Sequence, residues 1–253
     1  ITDTNGDGIS TGVNTTGVEA THSLNITYES GDLTNDNITN LTVDYATNAD
    51  VNGNVSGLSA SDVTVNIAGS SVNVNEVTGT DTAEINISQT AVSAGNTIEV
   101  QLDGVVNPGD GDVNIPVTLT DSGNNQASIP DLTLQTTAPD VSVSPERGVT
   151  TVGSGVDYTV EVLDNTGSPI QGADVSVDDP AATDNLTDDS TGVSNLSTTI
   201  TTDSTGTATI TLYNTSDAGA NDDGIGVFDA NFTEQLSNDP TPVSITHEST
   251  GQD

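Results

Sequence analysis

Apolar residues recur in this chain with a period of two, in short runs separated by turn residues. That pattern constrains the fold more than any other feature. Between Val156 and Leu212, Val156, Tyr158, Val160 and Val162 alternate with Asp157, Thr159 and Glu161, the repeat of a strand with one face buried. Asn165-Thr166-Gly167-Ser168-Pro169 breaks the run, and Ala173, Val175 and Val177 restart it. After a polar insert, Asp203-Ser204-Thr205-Gly206 turns the chain into Ala208, Ile210 and Leu212. Hydrophobic residues make up only 31% of the chain, a content that disordered chains share. Disordered polar tracts do not hold this register, so the chain reads as all-β. With four Tyr, two Phe and no Trp or Met, its cores must be built from Val, Ile, Leu and Ala.

The same alternation lays out two domains, for which 253 residues suffice. Residues 1–21 are polar and Gly/Thr-rich, with isolated Ile1, Ile9 and Val13, and read as an N-terminal extended arm or leading strand. Strands are expected over 22–28, 41–46, 63–68, 83–88, 97–105, 113–120 and 129–135, separated by Gly, Asn and Asp. About seven strands at this spacing predict a β-sandwich over 22–136. Residues 57–62 allow at most one helical turn. Ala138-Pro139-Asp140 falls in a linker over 137–140, short enough to hold two domains nearly end to end. Residues 141–253 form the second domain, with strands at Val141 and Val143, over 149–152, through the alternating stretch, and over 225–230 and 243–246. The acid- and Thr-rich segment 178–197 reads as a decorated loop at one pole of that sandwich. The expected fold class is therefore two tandem Ig-like antiparallel β-sandwiches.

Charge bounds the habitat. Thirty-eight acids face a single base, Arg147, and no Lys, for a net charge of −37. Self-repulsion on this scale strains a compact state. At molar salt the Debye length shrinks to about 3 Å and most of the repulsion is screened. The acids are spread along the whole chain, which reads as adaptation to a high-salt medium; an acidic surface loaded with calcium is the alternative. Nucleic acid and anionic membranes are disfavoured as partners. The chain has no Cys, so disulfides and thiolate metal sites do not arise, and the lack of Lys excludes Lys–Asn isopeptide staples. No run of 18 apolar residues and no signal peptide is present, so no direct membrane insertion is expected, and any export signal or anchor is expected to have been removed or to lie outside this chain.

The order DYTVEVLDNTGSPIQGADVSV, a variable insert, then TTDSTGTATITL, resembles bacterial Ig-like domains of the invasin/intimin type. The D-x-x-G-x-P turn of that family is matched by Asp164, Gly167 and Pro169, and its T-D-x-x-G-x-A turn by Thr202, Asp203, Gly206 and Ala208. The likeness covers roughly 141–235. It implies an extracellular spacer or adhesin module without catalytic residues. The phrases NLTVDYATNAD, ASDVTVNIAGS and SAGNTIEVQLDGVVNPGDGD resemble strand-rich modules of haloarchaeal secreted glycoproteins, so the whole chain looks like a haloarchaeal surface glycoprotein. The Trp and Cys pair of antibody-type domains are missing.

Ten Asn-x-Ser/Thr sequons occur, at Asn14, Asn25, Asn37, Asn40, Asn54, Asn86, Asn185, Asn195, Asn214 and Asn231, where chance would supply about six. They are candidate sites for N-linked glycans; Asn25 and Asn86 lie in strand patterns and must point outward to be modified. Asp3, Asn5 and Asp7 match the first half of a calcium loop, whose twelfth position would be Asn14 instead of the bidentate Glu. Asp110 with Asp112, and Asp222 with Asp223, are weaker versions. His22 and His247 lie in strand-like contexts, and loop acids such as Asp188 and Asp189 are expected in so acidic a chain, so no catalytic constellation emerges. The expected role is a non-enzymatic, extracellular, cell-surface structural protein of a halophilic archaeon. The expected form is a filament or pilus subunit whose arm adds to a sheet edge of the next copy. Its partners would be copies of itself, joined in a homo-oligomer or filament by strand addition or sandwich stacking. The alternatives are a monomeric adhesin or surface-layer module binding a glycan or protein, and the spike or fibre of a haloarchaeal virus.

Overall fold

The computed structural model describes residues 1–4, 8–29, 31, 33–46, 53–179, 186–188, 196–214, 225–237, 240 and 242–250. The chain divides into two compact units, Ile1–Ala138 and Pro139–Asp253.

Unit 1 contains β1 (Thr2–Asp3), β2 (Ile9–Thr11), β3 (Glu19–Thr27), β4 (Asn37–Asp44), β5 (Val63–Ile67), β6 (Ser70–Val72), β7 (Val74–Thr78), β8 (Thr82–Ala91), β9 (Thr97–Val106), β10 (Gly111–Asp121) and β11 (Gln126–Thr136). One sheet runs β1-β3-β9-β5-β6 with β2 also on β3, the other β11-β10-β4-β8-β7. Alternation places Leu24, Ile26, Val65, Ile98, Val100 and Leu102 of the first sheet in one buried cluster with Leu41, Val43, Ile85, Val117, Leu119 and Leu134 of the second. Each such side chain contributes about 1.5–3 kcal/mol by leaving water. Ala60–Asp62 forms one 3₁₀ turn, inside the 57–62 segment.

Two features of unit 1 escape the alternation. The run through β6 and β7 pairs first with β5 and then with β8, so the chain changes sheets at Asn73. Of the two readings of residues 1–21, extended arm or leading strand, the described residues take the second. β1 and β2 pair with β3, and Ile9 is buried in the core. The chain then crosses to the end of β11, where Thr16 N–H donates to the Thr137 carbonyl and Thr137 N–H to the Asn14 carbonyl, both at 2.9 Å. Gly8, at φ +69, makes the crossing possible: a Cβ there would lie 2.0 Å from the Thr133 carbonyl oxygen. The described residues of the 1–21 segment thus lead the chain along β3 and lace the two sheets of their own unit. An edge that binds its own chain outcompetes a free-arm arrangement because no second molecule has to be ordered.

Unit 2 contains β12 (Asp140–Ser144), β13 (Arg147–Thr151), β14 (Gly155–Leu163), β15 (Asp174–Asp178), β16 (Leu186–Thr187), β17 (Ser197–Thr201), β18 (Thr207–Asn214), β19 (Ile225–Glu234) and β20 (Val243–Thr250). The sheets run β12-β14-β18-β16 and β13-β20-β19-β15-β17, an Ig-like sandwich. Tyr158, Val160, Val162 and Leu212 of the first sheet and Val175, Val177, Phe232 and Ile245 of the second are buried. β13 pairs with β20 in parallel; the other ladders of the unit are antiparallel. β19 and β20 each run four residues past the expected 225–230 and 243–246.

Candidate functional site

Both histidines are buried, each against a tyrosine. In unit 1, His22 Nδ1 lies 2.8 Å from Tyr45 Oη, and Nε2 lies 2.7 Å from Asn107 Oδ1. Asn107 Nδ2 donates to the carbonyls of Val13 at 3.0 Å and Thr15 at 2.8 Å. The amide orientation therefore leaves Oδ1 as the acceptor, Nε2 carries the ring proton, and Tyr45 donates to Nδ1. The chain of bonds ties β3, the end of β4, the end of β9 and the leading segment into one buried network. Burial holds the His22 pKa down to about 4 against the helping hydrogen bond to Asn107, and burial drives the Tyr45 phenol far above its usual range. In unit 2, Tyr158 Oη lies 2.9 Å from His247 Nδ1. Burial lowers the His247 pKa and pushes Tyr158 up to about 12. His247 Nε2 is buried without a hydrogen-bond partner among the described residues. A neutral imidazole locked between strands serves as a brace, and neither histidine faces solvent.

The two signature turns of unit 2 use one device twice. Asp164 Oδ1 accepts the N–H groups of Thr166 at 2.8 Å and Ser168 at 2.9 Å, and the Thr166 hydroxyl at 2.6 Å. Asp203 Oδ1 accepts Thr205 N–H at 2.7 Å and the Thr205 hydroxyl at 2.6 Å, with Thr207 N–H at 3.4 Å. Burial opposes ionisation of Asp164, but bonds from Thr166, Ser168 and Gly167 outweigh it and lower its pKa; for Asp203 the Thr205 hydroxyl leads the lowering. Thr202 joins the halves: its buried hydroxyl donates to the Ile170 carbonyl at 2.6 Å and accepts Ala173 N–H at 2.9 Å. A Cβ on Gly206 would sit 2.8 Å from Pro169, so the turns pack directly on each other and only Gly fits. Asp121 repeats the device in unit 1, accepting Gly123 and Asn125 N–H on Oδ1 and Asn35 N–H on Oδ2.

The sequence candidates scatter. Asn54 is exposed, its Oδ1 accepting Ser56 N–H at 2.8 Å. Asn14, Asn25, Asn37, Asn40, Asn86 and Asn231 are half-buried. Asn40 and Asn86 stand opposite each other on β4 and β8, with Asn40 Nδ2 donating to Asn86 Oδ1 at 3.0 Å. Asn214 closes β18; Asn185 and Asn195, and most of segment 178–197, lie outside the described residues. Asp3 Oδ2 accepts Gly8 N–H at 2.7 Å, while Asn5, Asp7, Asp189, Asp222 and Asp223 lie outside the described residues. Asp112 accepts Gln135 Nε2–H at 3.1 Å. Among the described residues no three His, Asp or Glu side chains converge as a metal site, and no helix is long and apolar enough to cross a membrane. Sequence reasoning missed Tyr45, Asn107 and the ion pair of Arg147 with Glu248; nothing in local spacing signals partners this far apart in sequence.

No family model and no curated protein matches the chain. Solved structures similar to it include the adhesin InvE of Yersinia pseudotuberculosis, at 13% identity and a TM-score of 0.36, over 96% of this chain and 61% of that one. Invasin, a bacterial integrin-binding protein, is similar at 16% identity and 0.34, over 96% and 39%. The major pilin SpaD of Corynebacterium diphtheriae is similar at 9% and 0.32, over 94% and 57%. The chain thus spans less than two thirds of each of these proteins.

Proposed function

We propose that this chain is a non-enzymatic structural segment of an extracellular surface assembly, a filament or pilus, that works in concentrated salt and carries N-linked glycans on exposed sequons. One observation carries the reading. Even central strands present acids outward between core residues: Glu99 between Ile98 and Val100 on β9, Glu84 between Ala83 and Ile85 on β8, Glu161 between Val160 and Val162 on β14, each exposed beside two buried neighbours. The outer faces of these sheets are thus built to hold water and counterions, while the buried histidines and turn carboxylates hold strands together. At −37, such a surface repels itself until salt screens it.

Electron microscopy of the native protein kept in molar KCl tests the reading. Ordered fibres are the expected result; dispersed particles would overturn the filament in favour of a monomeric adhesin. The salt requirement has its own check: the unfolding midpoint rises with KCl, most steeply below about 1 M, as the Debye length falls from about 10 Å to about 3 Å. A midpoint unchanged in dilute, calcium-free buffer would contradict it.

A further inference from the structure

Among the described residues, two large apolar side chains break the polarity of this exterior. Val149 and Val227 are each 58% exposed. They lie in one cross-strand row: Val149 on β13 pairs with Glu248 on β20, and Val227 on β19 pairs with that same Glu248. Residues directly opposite in a ladder point to one face. Glu248 is also ion-paired with Arg147, the chain's single base. On a molecule with net charge −37, this row is apolar at both ends and charge-balanced at its centre.

Among the described residues β13 is terminal in its sheet, so the row ends at an open edge. Its ladder to β20 is parallel, with Thr246 N–H donating to the Glu146 carbonyl and Val152 N–H to the Thr250 carbonyl. Alternation in such a ladder turns the N–H and C=O groups of Arg147 and Val149 and the N–H of Thr151 toward the open side, the Thr151 carbonyl accepting Ser154 N–H at 2.9 Å. Unpaired edges template further strands, and charges, Pro and shortness blunt them. β12 carries Asp140, β7 carries Glu76, β11 carries Pro130 and Asp131, and β16 is two residues long. β13 has no acid. β2, β6 and β17 also lack acids, but none of them carries a cation or an exposed large hydrophobic residue.

We propose that the β13 edge is a docking surface for a second copy of this chain, joined antiparallel about Val149. The charge argument selects the occupant. Two copies meeting at β7 or β12 would set the acids of those edges, Glu76 and Asp140, into the contact, and each copy carries 38 acids against one base. Antiparallel pairing here sets Val149 against Val149 of the partner subunit and Arg147 against the partner subunit's Thr151, with no carboxylate of either β13 opposite another. The contact is self-complementary and closes on itself, so a fibre would use it as one of two contacts. The inference rests on the reading of the chain as an assembling subunit.

Because the chain has no Cys, single-cysteine variants report the contact. Opposed Cα atoms in an antiparallel pair lie about 4.5–5.5 Å apart, within disulfide reach. In molar KCl under mild oxidation, full-length V149C should form covalent dimers at least about tenfold faster than T199C on β17. In sedimentation velocity, V149D should weaken self-association about tenfold, while T199D, which adds the same charge, should not; both should melt like the wild type. Equal cross-linking of V149C and T199C, or wild-type association by V149D, would overturn the proposal. Fibres formed by V149D as readily as by wild type would sink it and leave the assembly reading standing. A wild-type chain that stays monomeric at every concentration would sink both.

Discussion

His22 Nε2 donates a 2.7 Å hydrogen bond to Asn107 Oδ1, and through it the leading strands of unit 1 are fastened to a titratable group that is neutral in the folded state. The sign of the pH dependence follows. His22 has its pKa depressed from 6.5 to about 4, so the unfolded chain binds the proton first. Stability from this group is complete above pH 6.5 and is lost as pH falls toward 4, by up to roughly 3 kcal/mol. His247, lowered by burial, contributes with the same sign. Urea unfolding in molar KCl at pH 7 and pH 4.5 measures the slope; H22Q should be less stable at pH 7 and show a shallower loss.

Asn107 is the hinge of that network. N107A leaves the buried Nε2–H of His22 without its acceptor and removes one of the donors to the carbonyls of Val13 and Thr15, which keep the Thr11 hydroxyl and Val18 N–H, at a cost of about 1–3 kcal/mol. Deleting residues 1–21 removes β1, β2 and buried Ile9, Thr15 and Thr16. It should unfold unit 1 and leave the transition of unit 2 in place, a result that circular dichroism melts in molar salt would show. A fully folded deletion variant would contradict the seating of the leading strands.

Asp164 should matter more than its place in a turn suggests. D164A strips acceptors from Thr166 and Ser168 and should cost about 1–2 kcal/mol at pH 7. Its folded pKa is lowered, so this contribution is present above the ordinary carboxylate range and disappears as pH falls through the depressed value. The difference between wild type and D164A should therefore close in acid, as read from paired urea melts.

Glycan occupancy should follow access to the amide nitrogen. Asn54 is exposed in a turn, while Asn40 and Asn86 are half-buried and bonded to each other at 3.0 Å. Glycopeptide mass spectrometry of the native protein should find Asn54 occupied more fully than either strand site, and Asn40 and Asn86 not both occupied on one chain. Full double occupancy of the strand pair would refute the crowding argument.

Most strands were legible because Val, Ile and Leu alternate with polar residues wherever one face is buried, as on β9 and β14. β1 and β2 were not, because Ile9 is the only residue of the pair in the core and the rest of the segment is held by backbone and side-chain hydrogen bonds. β6 and β7 were hidden because one chain run serves two sheets, which cuts each apolar alternation to a few residues. The signature turns were readable from Asp164, Gly167, Asp203 and Gly206, since an Asp that bonds its own backbone leaves a local spacing. The bracing pairs left none: Tyr45 meets His22, and Tyr158 meets His247, only after the sheets close. The row of Val149, Glu248 and Val227 is likewise a product of strand register, so the one base in the sequence announced itself without disclosing its neighbours.

Arg147 has a consequence of another kind. It is the only Lys or Arg in the chain, so a protease that cuts after cationic residues has a single bond to attack, Arg147–Gly148. That bond lies in β13, with Gly148 buried and the strand paired to β20, and cleavage needs an extended segment free of its sheet. The rate of one cut, giving fragments 1–147 and 148–253, therefore reports how often this edge peels away, and a chain exposed to such proteases is guarded by the lifetime of one short parallel ladder.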